Sequence, residues 1–293
     1  AEWQKEYEAG GKPSEAALRK KLNSIKATEF PWMAEVTKCA PQQAIKNVGT
    51  AFQNFFRRVK QGGKPGYPKF KRKGQHDSFR ADNGPADANS HAVECIGKTI
   101  KLPRCGAVKM REALRFTGRT LSATVSKQAD GWYVTLLVDT ADIMSGPLGG
   151  GTVGVDLGLK NLAVLSTGEV LPPLKPHRAL HSRLVRLSRS LSRKKKGSSN
   201  RAKAKTKLAK LHKRIADIRV DALHKLTHRL ATEFDTIAIE DLNVKGMVRN
   251  SHLARSVSDA GFGEFRRQLE YKAAMTGASV FIVDRFYPSS KTC

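Results

Sequence analysis

Apolar and polar positions change rhythm several times along this chain. Across "PQQAIKNVGTAFQNFFRRVKQGG", Ala44, Val48, Ala51, Phe52, Phe55 and Val59 recur near the 3.6-residue helical period. Residues 14–61 are expected to be helical. Pro41 suits a first turn, and Gly62 and Gly63 end the run. Arg57, Arg58 and Lys60 crowd the last turn, where the helix dipole favours cations. Between 92 and 144 the rhythm shortens. "TIKLP", "GAVKMR", "LSATVSKQ" and "GWYVTLLVD" read as short strands divided by glycine or polar turns, which predicts antiparallel hairpins in a small barrel or sheet. "SGPLGGG" at 145–151 reads as a linker.

From 152 the pattern is mixed α/β. "VGVDLG" and "LAVLS" predict two strands joined by "LKN", and "STGEV" turns into a third. Leu180, Leu184, Leu187 and Leu191 repeat every three or four residues. So do Leu208, Leu211, Ile215, Ile218, Ala222, Leu226 and Leu230. With "KKKGSSN" as the turn, these stretches predict a helical hairpin over 178–232. "DTIAIEDL" and "SVFIVD" are further apolar strands, separated by one amphipathic helix, "SDAGFGEFRRQLEYKAAMTG". Antiparallel strands followed by helices and further strands suit the opening of an RNase H-like sheet, although a fold alone settles no function.

Charge narrows the picture. The chain has 293 residues, with 53 Lys and Arg against 26 Asp and Glu, a formal net charge of +27. Such an imbalance points to a polyanion, nucleic acid before an anionic membrane surface. No apolar run approaches the ~18 residues a membrane span needs. The four cysteines include no CxxC pair, so a reducing, intracellular setting without a disulfide framework is expected. The start at Ala1 and the stop just after "FYPSSKTC" suggest a segment of a longer protein.

The cations are not evenly spread. From Arg178 to Arg214 there are 15 Lys and Arg and no acid. Arg193, Lys194, Lys195, Lys196, Arg201, Lys205, Lys210, Lys213 and Arg214 in this run are candidate phosphate contacts. Residues 62–82 form a second basic stretch, in which Lys69, Lys71, Arg72, Lys73 and Arg80 interleave with Tyr67, Phe70 and Phe79. Aromatic rings among cations can stack on bases, at about 1–3 kcal/mol per base. His224 and His228 have a metal-capable spacing but no neighbouring ligands, and are read as polar-face or RNA-contact residues.

Two acids break the apolar pattern. Asp156 follows Val153–Val155, and Glu240 follows Ile237–Ile239. A carboxylate inside a sheet is costly without a partner. Two or three at neighbouring strand ends can hold divalent cations for phosphodiester hydrolysis. Asp241 competes with Glu240, but strand alternation puts the two on opposite faces. Gly158 would let a phosphate backbone approach. The competing reading is acids that cap turns or pair with lysines.

"GVDLGLKNLAVLSTG" and "IAIEDLNVKGM" resemble the first and second motifs of RuvC-type nucleases. The basic hairpin between them, "SVSDAGFGEFRRQLEYKA" and "YPSSKTC" after them, and "NFFRRVKQGGKPGYPKFKRKGQHDSFR" before them stand in the order seen in TnpB, a family of insertion-sequence-encoded RNA-guided nucleases related to type V CRISPR effectors. The resemblance implies an α/β multi-domain protein. Residues 1–62 would be a helical recognition lobe, 63–145 a β-barrel wedge domain, and 151–293 an RNase H-like (RuvC) nuclease domain with a helical insertion at 178–232. Asp156 and Glu240 carry over as catalytic, Mg²⁺-holding carboxylates. The implied partners are a guide RNA and double-stranded target DNA, with no membrane, in a prokaryotic cytoplasm and near the nucleoid.

The family pattern also has a third catalytic Asp and a zinc site of two Cys pairs. Cys293 matches the first zinc ligand at the start of the segment 287–293, and its partners and the third Asp do not occur in this sequence. Zn²⁺ is therefore expected only in a longer protein. Two other functions compete: a nuclease-deficient, RNA-guided DNA-binding protein of the same ancestry acting as a repressor, and a transposase that joins strands itself, since RNase H-like sheets serve such enzymes too.

Overall fold

The structure is a computed structural model and describes residues 2–63, 65–84, 92–140, 146 and 149–285. The chain falls into two compact units, Ala1–Ala141 and Asp142–Cys293. Each is built around its own apolar core.

The first unit begins with helices α1 (Glu2–Glu8), α2 (Glu15–Ile25) and α3 (Cys39–Lys60). Ser14 caps α2 by accepting the Ala17 N–H at 3.1 Å. The amphipathic period of α3 gathers its aromatic residues on one stripe. Phe52 stacks on Trp3, and Phe55 lies edge-on to Phe56. The strands β1 (Ser78–Asp82), β2 (Glu94–Ile96), β3 (Thr99–Leu102), β4 (Gly106–Lys109), β5 (Arg119–Lys127) and β6 (Trp132–Asp139) form two antiparallel sheets, ordered β1-β5-β6 and β2-β3-β4. Both sheets contribute to a core of Ala81, Val93, Ile100, Leu102 and Ala123. The expected hairpins are present, and among the described residues they form two three-stranded sheets with no ladder between them.

The second unit holds β7 (Thr152–Leu157), β8 (Ala163–Leu165), β9 (Val170–Leu171), α4 (Pro176–Ser192), α5 (Ser199–Glu233), β10 (Thr236–Glu240), α6 (Val244–Arg249), α7 (Ala254–Ala260), α8 (Phe262–Thr276) and β11 (Ser279–Val283). Its five-stranded sheet has the order β11-β10-β7-β8-β9. β7, β8 and β9 are antiparallel neighbours, whereas β10 and β11 run parallel to β7. The helical connections return the chain to the same end of the sheet before β10 and again before β11, as parallel pairing requires.

Alternation along the strands sends Val153, Val155, Ile237 and Ile239 into the core, where they meet Leu223, Leu226 and Leu230 of α5 and Phe265 and Leu269 of α8. Each such fully buried side chain contributes roughly 1.5–3 kcal/mol. α5 is about 52 Å long at 1.5 Å per residue. Its second half belongs to this core, and its first half packs on α4 through Ala204, Leu211 and Ile215. Lys272 of α8 donates to the His224 carbonyl at 2.6 Å and to Thr227 Oγ1 at 2.9 Å, fixing the register of the two helices. The single helix expected over 258–277 is in fact two. Gly261 adopts φ +71, ends α7 and precedes α8.

Candidate active site and nucleic-acid interface

The parallel ladder of β7 and β10 pairs Ile237 with Val153 and Ile239 with Val155. The next residue on each strand is Glu240 and Asp156. Neighbouring strands lie about 4.8 Å apart, and residues in register on parallel strands face the same way. Continued by one residue past its last pair, Ile239–Val155, the register sets the two carboxylates side by side at the C-terminal ends of adjacent strands. Their face is the one opposite the helices. Val153, Val155 and Leu157 are buried, whereas Gly154 is half-buried and Asp156 exposed. In β10, Ile237 and Ile239 are buried, and Ala238 and Glu240 are half-buried.

That placement corrects the premise of acids inside the sheet. The strands are buried on one side only, and the acids occupy the other.

Asp241 is engaged elsewhere. Its Oδ1 accepts from Arg266 at 2.9 Å and its Oδ2 from Arg285 at 2.6 Å. Arg285 Nε also donates to the Asp241 carbonyl at 3.0 Å. The two arginines hold Asp241 on the helix side and leave Glu240 for the open face. Gly158 also has a structural job. A Cβ there would lie 3.1 Å from the Asn161 carbonyl, in the tight turn closed by the Gly158 N–H to the Leu162 carbonyl. Two carboxylates on one accessible face fit a Mg²⁺ site, since Mg²⁺ is commonly bound by one or two carboxylates plus substrate phosphates. No cluster of three metal-capable side chains occurs among the described residues. Cys293 and the segment 287–293 lie outside them.

The basic residues separate into two groups. Arg193, Lys195, Lys196, Lys205, Lys210 and Arg214 are exposed along the α4–α5 hairpin, and Lys194 is half-buried at its turn. Arg201 instead donates to the carbonyls of Leu191 and Lys194 at 2.8 and 2.9 Å, closing the C-terminus of α4. Lys213 is 15% exposed and pairs with Asp217 at 2.6 Å. In the first unit, Arg57, Arg58, Lys60, Lys69, Lys71, Arg72 and Lys73 are exposed. Arg80 pairs with Asp82 at 2.6 Å. The three aromatic residues of the basic stretch also part ways. Tyr67 lies edge-on to Phe52 and Phe55, anchoring the loop on α3. Phe79 packs against the core of the sheets. Phe70 is 85% exposed among its cations.

Comparison with known proteins follows the same lines. The OrfB_IS605 family, described as "Probable transposase", matches residues 135–251, and the Cas12f1-like TNB domain matches 262–293. A Streptomyces pristinaespiralis protein named "Putative RNA-guided DNA endonuclease" is 36% identical, over 92% of this chain and 65% of its own length. The Escherichia coli K12 protein InsQ, of the same designation, is 34% identical over 90% of this chain and 67% of its own. A Mycobacterium tuberculosis relative is 32% identical over 99% and 69%.

The chain belongs to the TnpB family. It spans about two thirds of the length of these curated TnpB relatives. Across 96% of the chain the fold also matches the Cas12f1 chain in a cryo-EM structure of a Cas12f1–sgRNA–target DNA complex, with a TM-score of 0.50, 13% identity and 68% of that chain covered. At that identity the likeness concerns the fold alone. Among the described residues of this TnpB chain, no helix is long and apolar enough to cross a membrane.

Proposed function

We propose that this chain is the nuclease and nucleic-acid-binding portion of an RNA-guided DNA endonuclease that hydrolyses phosphodiester bonds with Mg²⁺. The β7–β10 register, which continued by one residue sets Asp156 and Glu240 side by side on one face, supports this reading. The strand order, with three antiparallel strands extended by two parallel ones, supports an RNase H-like, RuvC-type sheet. The two packed sheets of the first unit would serve as the wedge, and α1–α3 as the recognition lobe. The chain thus divides functionally at 1–62, 63–145 and 151–293.

Bound Mg²⁺ would supply an activated water and stabilise the leaving oxygen. Asp156 and Glu240 would hold it, and their backbone hydrogen bonds to neighbouring strands fix the spacing between them. The exposed cations of the α4–α5 hairpin, with Arg57, Arg58, Lys60 and the 69–73 stretch, would neutralise the backbones of guide RNA and target DNA. Recognition of such a heteroduplex rests on shape and charge, and the guide reads the sequence. The same reading sets the protein in a prokaryotic cytoplasm, near the nucleoid, with Zn²⁺ bound only where the cysteine partners of Cys293 are present.

The test is Asp156→Ala in the protein with its guide RNA. Cleavage should be lost while guided DNA binding persists. Cutting at the wild-type rate would refute the assignment, and a wild-type protein that binds but never cuts would favour a repressor.

A further inference from the structure

The three parallel strands β7, β10 and β11 all begin beside one residue, Asp235. Its backbone N–H donates to the Gly151 carbonyl at 3.1 Å, and that carbonyl also accepts from the Thr236 N–H at 3.2 Å. Its own carbonyl accepts from the Ser279 N–H at 2.7 Å. Its carboxylate Oδ2 accepts from the Gly151 N–H at 3.3 Å. Gly151 directly precedes β7, Asp235 directly precedes β10, and Ser279 is the first residue of β11. A single side chain and its peptide groups thus tie together the N-terminal ends of three strands.

Glycine makes the tie possible. The stretch that reads as a linker from sequence is anchored at its end, where the Gly149 N–H donates to the Thr232 carbonyl in the last turn of α5 at 3.4 Å. A Cβ on Gly149 would overlap the Glu233 carbonyl. Gly151 has φ +93, in the left-handed region that favours glycine.

The tie lies at the opposite end of the strands from the acid pair, yet it bears on that pair. Thr152 and Thr236 form the first pair of the β7–β10 ladder. Asp156 and Glu240 each lie four residues further on, about 13 Å along the strand. The two strands advance equally from the tie, so an offset introduced there arrives undiminished at the acids. Burial of Val153, Val155, Ile237 and Ile239 decides which face each strand turns to the core. The tie adds a fixed starting point along the strand axis. Functional constellations need their groups held within about 0.5 Å, and a misplacement of about 1 Å can cost on the order of a hundredfold in rate.

We propose that Asp235 is a positioning residue for the acid pair, and that Gly149 is required for it to act: together they set the offset between β7 and β10, and so the spacing of the Asp156 and Glu240 carboxylates. The inference rests on the reading of that pair as a Mg²⁺ site.

The probe is Mn²⁺, titrated into the 293-residue chain and followed by the electron paramagnetic resonance signal of the free ion. Asp235→Ala should weaken Mn²⁺ binding by about threefold or more, and Gly149→Ala should do the same. Asp235→Asn keeps an oxygen to accept from Gly151 and should stay within about twofold of wild type. Thr276→Val removes a 2.8 Å hydrogen bond to the Ala231 carbonyl in the same unit. It serves as the control for general loosening, with a lower melting temperature and Mn²⁺ binding within about twofold. Wild-type affinity in Asp235→Ala, an equal loss in Thr276→Val, or no rescue by Asp235→Asn would each overturn the proposal. Amide hydrogen exchange at Gly151 and Thr236, which should speed up in Asp235→Ala, reports on the tie without the metal, and unchanged exchange would overturn it too. Mn²⁺ binding that ignores Glu240→Gln would instead sink the acid-pair reading, with the exchange result still standing, so the two failures are distinguishable.

Discussion

Substituting two adjacent carboxylates should have opposite consequences. Asp241 accepts from Arg266 and Arg285 at 2.9 and 2.6 Å, with side chains 37–43% exposed. Ion pairs that open to water contribute about 0.2–1 kcal/mol each. Asp241→Asn keeps an acceptor oxygen and most of the geometry, so it should cost about 1 kcal/mol of stability and less than a tenfold loss of cleavage, since tenfold is about 1.4 kcal/mol. Glu240→Gln keeps the shape and removes the charge on the Asp156 side of the sheet. Mutating even the groups that support a metal ligand costs about 10–100-fold, so loss of a ligand itself should reduce cleavage by about a hundredfold or more. The assay is guided cleavage of a plasmid across a Mg²⁺ titration, with melting temperature as the control for folding. A larger cleavage defect in Asp241→Asn than in Glu240→Gln would refute the facial assignment. So would Glu240→Gln that cuts within tenfold of wild type.

Gly261→Ala places a side chain at φ +71, with its Cβ 3.0 Å from Arg219 Cδ and 3.1 Å from Leu223 Cδ1. Left-handed backbone alone costs about 1–2 kcal/mol, so the second unit should unfold at a lower urea concentration, and an unchanged midpoint would contradict the described α7–α8 turn. Hydrogen bonds from Arg267 and Gln268 hold Glu264 down to about 2 against an ordinary 4.5. Its stabilising contribution is present above 4.5 and is lost as pH falls from 4.5 towards 2. Glu264→Gln should flatten the pH dependence of stability across that window, measured by urea denaturation. Phe70→Ala should weaken single-stranded nucleic acid binding by about 1–3 kcal/mol without shifting the melting temperature, whereas Tyr67→Ala, which removes the contacts with Phe52 and Phe55, should lower it.

Periodicity made the second unit legible. The leucine repeats of α4 and α5 have 3.6-residue spacing, and the turn lies at Arg193–Ser198, starting one residue before the expected "KKKGSSN" and ending two residues before its end. β7, β10 and β11 were visible because each is an apolar run bounded by acids or glycine. The first unit was harder to read. β1 carries Arg80 and Asp82 as a cross-paired surface, so it looks like part of a basic loop. β2 spans three residues, too short to show alternation. Barrel closure is a property of long-range pairing, which no local pattern reports. Gly261 falls inside an amphipathic stripe that continues on either side, and its positive φ has no signature beyond the glycine itself. At the site, the identity of the two acids was legible, but their environment was not. "VGVDLG" looks buried because alternate residues are apolar or small. Only the sheet order shows that one side faces helices and the other does not. The roles of Arg201 and Lys213 were hidden for a related reason, since a cation's partner 7–10 residues away or one helical turn along cannot be told from solvent by composition.

The most direct test of the account is a crystal of the chain soaked in Mn²⁺, examined by anomalous scattering. The account predicts a peak at bonding distance from carboxylate oxygens of both Asp156 and Glu240, lost in Glu240→Gln and retained in Asp241→Asn. Mn²⁺ bound at Asp241, or on any surface away from the Asp156–Glu240 face, would contradict it.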